Sequence, residues 1–345
     1  MKTGLYLDSV FLRHETGLYH PERAMRLTSV EERLKQDPGL RGFEIRKARK
    51  AERWEISLLH APHYIEQFAS ATWWGQKWFG SEDCTISENT YEAACHAVGC
   101  VIDAVSEVAA NHLDNAFCAV RPPGHHAERN KAMGFCFFNN VALGAEFLVS
   151  QLGFKRVLIF DFDVHHGNGT QHLFEERSDV FYASIHQDPK TCYPGTGYEI
   201  EQGKGPGLGY TLNCPMPPHS EDVAYLEKFE TRLLPAFHEY KPDFVMISAG
   251  FDAHKDDPLA NINLSRHCFD TFTVAMKKIA DQYAGGKLVS VLEGGYSLNA
   301  LAECVSSHVT ILKDGPSRIP HPSLKEIIQE VWKRWQTPSN KKTWI

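Results

Sequence analysis

No C-x-x-C pair occurs among the nine cysteines, which are scattered between Cys84 and Cys304. An odd, dispersed set argues against both a paired-cysteine zinc site and a disulfide framework, and reads as the reduced thiols of a cytoplasmic protein. No apolar run approaches the roughly 18–20 residues of a membrane span. The opening stretch MKTGLYLDSVFLRHE meets Asp8 too early to form the apolar core of a signal peptide. Positive charge is in deficit, with a net charge of −7 over 345 residues. That balance argues against nucleic acid as the main partner, but leaves basic peptides and polyamines open as substrates. Internal repeats and low-complexity linkers are also missing. With 43% hydrophobic residues to build a core, a single domain over residues 1–345 is expected.

Short apolar runs rich in β-branched residues occur at 117–120, 157–160, 181–185, 244–247 and 287–292, and have the length of buried strands. Amphipathic stretches at 141–152 and 269–283 alternate with them. The alternation predicts an α/β fold: an open, mostly parallel sheet with helices on both faces. Residues 313–345 look like an extension. There Ser323 and Glu326 are spaced as a capping box, and Leu324, Ile328, Val331 and Trp335 share one helical stripe. A helix packed on the body is expected, with a homo-oligomer contact as the alternative.

The polar clusters fall in a pattern. NAFCAVRPPGHHA runs from a strand into His125 and His126, and VLIFDFDVHHGNG into Asp161, Asp163 and His165. DFVMISAGFDAH leads to Asp252, and KLVSVLEGGYSL to Glu293, Gly294, Gly295 and Tyr296. Four strands thus deliver polar groups just past their carboxyl ends, where open α/β sheets bind ligands. One such case is ordinary turn chemistry; four predict a shared active site. In extended chain, Asp161, Asp163 and His165 project to one side, so two of them can chelate an ion while the third acts behind. With Asp252 this makes one imidazole and two carboxylates, leaving coordination open as a catalytic zinc requires. Fe(II), Mn or Co would also suit such a set. His125 and His126 suit acid–base work because imidazole titrates near neutrality. Tyr296, after two small glycines, suits donation to an oxyanion.

At these residues the sequence resembles the zinc-dependent histone deacetylase family, which includes bacterial acetylpolyamine amidohydrolases and shares a fold with arginase. The motifs RPPGHHA, GFCFFNN, DFDVHHGNGTQ, YPGTG, SAGFDAHKDDPL and LEGGYSL appear in the family's order and, with HPER and HAPHYI, cover about residues 3–312. The resemblance implies zinc held by Asp163, His165 and Asp252, with His126 as the general base and His125 as its electrostatic partner backed by Asp161. Tyr296 would polarise the acyl carbonyl. A structural potassium ion would use Asp161, Asp163, His165, Ser184 and Ile185, and a second would lie near Phe174, Arg177, Val180 and Tyr210. Asn168 stands where class I members carry an aspartate and class II members an asparagine, which should leave His126 less basic.

Phe135, next to Gly134, and Tyr193 match the aromatic walls of the family's acyl-lysine tunnel. Asp83 matches its rim aspartate. Leu259 stands near the place where polyamine-selective relatives can carry a glutamate, which favours acyl-lysine over a polycation. The tryptophan-rich TWWGQKWFG, with Trp73, Trp74, Trp78 and Phe79, is placed equally well in the core or at the pocket rim. The implied reaction is zinc-dependent hydrolysis of an acylated amine, on an acyl-lysine peptide or protein or on an acetylated polyamine. A binuclear manganese ureohydrolase and a silent acetyl-binding module are the alternatives.

Overall fold

The computed structural model describes residues 1–36 and 43–315. The helix expected from Ser323 to Trp335 lies outside them. In chain order the strands are β1 (Thr3–Tyr6), β2 (Glu44–Arg46), β3 (Trp78–Phe79), β4 (Ser81–Thr85) and β5 (Asn115–Cys118). They continue with β6 (Val157–Asp161), β7 (Val180–Gln187), β8 (Thr211–Met216), β9 (Phe244–Ala249) and β10 (Leu288–Leu292). Eight form one sheet in the order β2-β1-β5-β10-β9-β6-β7-β8, while β3 and β4 make a small separate hairpin. Every neighbouring pair in the large sheet is parallel. All its carboxyl ends therefore open on one edge.

Sheet register shows how the two faces are covered. Phe117, Ser290, Ile247 and Phe160 form one cross-strand row, and neighbours in such a row point to the same face. Phe117 and Ser290 touch His308 of the helix Leu298–Asp314. Phe160 packs against Phe272 of the helix Arg266–Tyr283. Met246, one residue along β9, points the other way and meets the helix Asn140–Ser150 at Gly144. A Cβ on Gly144 would lie 2.8 Å from the Met246 methyl and 2.7 Å from Val101, so glycine lets this helix approach the sheet. Helices thus cover both faces, as expected. Each fully buried aromatic in these layers contributes about 1.5–3 kcal/mol over its exposed state.

The expected strand at 117–120 begins two residues earlier, at Asn115, because pairing with β1 and β10 rather than local hydrophobicity sets its bounds. Strand β8 carries Pro215; it lies at the sheet edge, where a missing N–H is tolerated. The tryptophans do not belong to the core: Trp73 is 83% and Trp74 76% exposed, and Trp78 is exposed as well. Of the aromatics in that stretch only Phe79 turns inward, stacking on Phe68 at 5.1 Å. Among the described residues, no helix is long and apolar enough to cross a membrane.

Candidate active site

The four strands singled out for their polar ends, β5, β10, β9 and β6, are consecutive in the middle of the sheet. Their following loops therefore meet at one place. Asp163 and His165 follow β6, and Asp252 follows β9; one ligand atom from each lies within 4.8 Å of the others. The His165 Nδ1 is 3.1 Å from both Asp163 Oδ1 and Asp252 Oδ2. Backbone amides hold the two carboxylates: the His165 and Gly294 N–H groups donate to Asp163, and the Val164 N–H donates to Asp252 Oδ1. Burial pushes the His165 imidazole pKa down, but the facing carboxylates of Asp163 and Asp252 override it and hold the pKa well above its ordinary value. A ring nitrogen between two buried carboxylates marks a place that demands positive charge. Two carboxylates and an imidazole are a donor set that a divalent ion fits.

Glycine at 294 makes this convergence possible. A Cβ there would stand 2.1 Å from Asp252 Oδ2 and 2.6 Å from Asp163 Oδ2. Glycine at this position thus lets the backbone come close to both carboxylates.

His125 and His126 follow β5, are both buried, and have ring centroids 4.0 Å apart. Their environments differ. The His125 Nδ1 faces Asp161 Oδ2 at 3.1 Å. Burial lowers its pKa, yet the Asp163 and Asp161 carboxylates outweigh that and raise it to about 10; a cation at the neighbouring cluster would offset part of the rise. The His126 Nδ1 faces Asn168 Oδ1 at 2.8 Å. Burial and then its neighbours His125 and His165 push its pKa well below the usual imidazole value. Pairs separated in this way suit different proton-transfer roles.

The loop after β10 carries Tyr296, whose backbone N–H donates to Asp257 Oδ2 at 2.6 Å. Arg26 holds the same loop from the other side, donating to the Gly295 carbonyl at 2.6 Å and the Glu293 carbonyl at 2.5 Å. Its guanidinium lies 4.9 Å from the Tyr296 ring centroid. Glu293 accepts from the Gly124 and His125 N–H groups at 2.7 and 3.1 Å, tying the tyrosine loop to the histidine loop. Sequence reasoning does not single out Arg26 or Asp257 and gives Glu293 no role. The acidic run in HKDDPL was the only available signal for Asp257.

Phe135 packs edge-on against Tyr296 at 5.9 Å, and Tyr193 edge-on against His126 at 5.1 Å, so both proposed tunnel walls border the cluster. Gly134 and Phe135 both have left-handed backbone, with φ of 57° and 67°; for Phe135 this is strained, a condition that persists where surroundings enforce it. Asp83, on β4, helps enforce it by accepting from the Gly134 N–H at 2.8 Å. Leu259, 38% exposed, donates its backbone N–H to Asp257 Oδ1.

The residues that the resemblance gives to potassium all fall between the end of β6 and the start of β8. Asp161 pairs with Ser184 across β6 and β7, with Ile185 next along β7. In the second group, the Arg177 N–H donates to the Phe174 carbonyl, Val180 opens β7, and Tyr210 offers its carbonyl to the Tyr182 N–H.

Residues 20–312 match the model of the histone deacetylase domain. The chain is 38% identical over 344 residues to Histone deacetylase 9 of Homo sapiens, covering 90% of this chain but 34% of that protein. It thus spans about a third of the human relative's length. It is 36% identical over 347 residues to the Histone deacetylase-like amidohydrolase of Pseudomonas aeruginosa, covering 95% of this chain and 90% of the relative. A Probable deacetylase of Archaeoglobus fulgidus is 36% identical over 303 residues, covering 86% of this chain and 82% of the relative. Among solved structures, the HDA15 HD domain superposes with a TM-score of 0.85 at 31% identity, covering 96% of this chain and 93% of that one. The chain belongs to the histone deacetylase family.

Proposed function

We propose that the protein hydrolyses the amide of an acylated primary amine, with acyl-lysine as the favoured substrate class and zinc as the metal. The observation that carries this reading is the buried convergence of Asp163, His165 and Asp252 beside two histidines held in opposite protonation preferences. A zinc ion held by those three residues would supply Lewis-acid polarisation of the acyl carbonyl and acidify the attacking water.

The chain's own residues do the rest. His126, neutral because burial and two neighbouring imidazoles oppose its protonation, takes the proton of the attacking water. It later returns a proton to the leaving amine. His125, held positive by Asp161 and Asp163, stabilises the negative charge that develops nearby. Tyr296 donates its hydroxyl to the developing oxyanion. Phe135 and Tyr193 flank a linear aliphatic stem, and Asp83 acts at the mouth. Potassium at Asp161, Ser184 and Ile185, and near Phe174, Arg177, Val180 and Tyr210, would have a structural role. The same chemistry on an acetylated polyamine is the second reading, favoured by the net charge of −7.

The test is metal dependence. A chelator is expected to abolish turnover of acetyl-lysine peptides, and about one equivalent of Zn(II) or Co(II) per chain to restore it. Two equivalents would point to a binuclear ureohydrolase, and full activity without metal would refute the reading. In the loaded enzyme, Tyr296→Phe should lower kcat by roughly 10²–10³, as losing one oxyanion donor does. His126→Ala should cost at least as much while zinc is retained.

A further inference from the structure

The base in this reading works only if Nε2 of His126 is free to accept a proton. That condition depends on which way round the Asn168 amide sits. An amide presents an oxygen on one side and an NH2 on the other, and the two are told apart by their partners. Here the partner is Glu128. Its Oε1 lies 2.6 Å from Asn168 Nδ2 and 2.7 Å from the Nδ1 of His172. Asn168 and His172 are one turn apart on the helix Asn168–Phe174, so both reach the same carboxylate oxygen.

A carboxylate accepts and cannot donate. It therefore draws the NH2 of Asn168 and repels its oxygen. The amide oxygen is left facing His126 Nδ1 at 2.8 Å, which places the ring proton on Nδ1 and leaves Nε2 bare. With the amide reversed, its N–H would face Nδ1 and force the proton onto Nε2, disabling the base.

We propose that Glu128 is a positioning residue that selects the working tautomer of His126 by fixing the orientation of the Asn168 amide. The inference rests on the assignment of His126 as base. It explains how an asparagine can serve behind this histidine: the approach of Nδ2 to the His126 carbonyl is long, at 3.4 Å, and Glu128 supplies the strong acceptor that fixes the amide's direction. His172, exposed at the surface, steadies the carboxylate.

The experiment compares E128M, N168D and the double variant, each loaded with zinc and assayed on an acetyl-lysine peptide. E128M is expected to lower kcat by roughly tenfold or more with little change in KM, since a wrong tautomer removes proton transfer rather than binding. In the N168D background a carboxylate accepts whichever oxygen faces the ring, so adding E128M should cost nothing and should relieve repulsion between two acids. Equal losses in both backgrounds, or a wild-type kcat for E128M, would overturn the inference. The second readout is the two-bond 1H–15N correlation of labelled histidines in metal-free protein. Wild type should show His126 as the Nδ1–H form, and E128M a mixture containing the Nε2–H form; an unchanged pattern overturns the proposal. His126→Ala separates the two ideas. If it stays active, the base assignment falls; if it is inactive while E128M behaves as wild type, only the role of Glu128 falls.

Discussion

Two adjacent histidines of the same type, one residue apart in sequence, receive opposite instructions from their partners. His125 faces the carboxylate of Asp161, and His126 faces the amide of Asn168. An amide gives an imidazolium no charge to pair with, so burial and the neighbouring imidazoles prevail at His126 and its pKa falls well below the ordinary value. In the proposed assignment of His126 as base, the deprotonated ring is the active form, so kcat/KM should drop as pH falls through that pKa. The acid limb of the profile is therefore expected below the usual imidazole value of about 6.5. Asn168→Asp places a negative charge against the ring, favours its protonated form and raises its pKa. The limb should then move to higher pH, with less activity left in mildly acidic buffer. A pH profile of kcat/KM for the two proteins checks this, and a limb that stays put or moves down would contradict it.

The loop after β10 shows how an element serves the site by what it omits. Gly294 presents a backbone N–H to Asp163 at 2.8 Å, with no side chain to hold the two carboxylates apart. Gly294→Ala would put a methyl group against backbone-anchored Asp163 and Asp252, which have little room to yield. Zinc retention is expected to fall by roughly tenfold or more, read by competition with a chromogenic chelator. Unchanged affinity would mean that the carboxylates relax more than their anchoring allows. This glycine was legible because LEGGY stands at a strand's end, and Asp163, His165 and Asp252 were legible for the same reason. The strand order was not: hydrophobic runs reveal strands but not their neighbours, so the adjacency of β5, β10, β9 and β6 needed the fold. Arg26 and Asp257 escaped because they act on backbone groups, Arg26 on carbonyls 267 and 269 residues away. No local pattern marks the contacts of Arg26, and the acidic run in HKDDPL does not tell Asp257 from its neighbour Asp256. β1 and β2, of four and three residues, are too short to show a period.

At the scale of the whole molecule, charge and shape pull in different directions on the choice between acyl-lysine and acetylpolyamine. A net charge of −7 raises the local concentration of any cation, polyamine or basic peptide alike. Discrimination must therefore come from the mouth of the site. Tyr193 and Leu259 are both partly exposed, at 42% and 38%; neither offers a charge to pair with a second ammonium. Asp83 does carry a charge, but its carboxylate already accepts from the Gly134 N–H and the Ser81 hydroxyl, which weakens its claim as a polyamine anchor. Acyl-lysine peptides are thus expected to exceed N-acetylputrescine and N8-acetylspermidine in kcat/KM. Leu259→Glu should shift that ratio towards the polyamines, because a carboxylate there would attract the distal cation. For a partly screened pair the shift should be about 1–2 kcal/mol, or roughly five- to thirtyfold in relative kcat/KM, shrinking as salt is added. Competition assays with both substrate classes at two ionic strengths measure it. A wild-type preference for acetylpolyamines of about tenfold or more would show that Leu259 is not the gate, and that the negative surface itself selects the substrate.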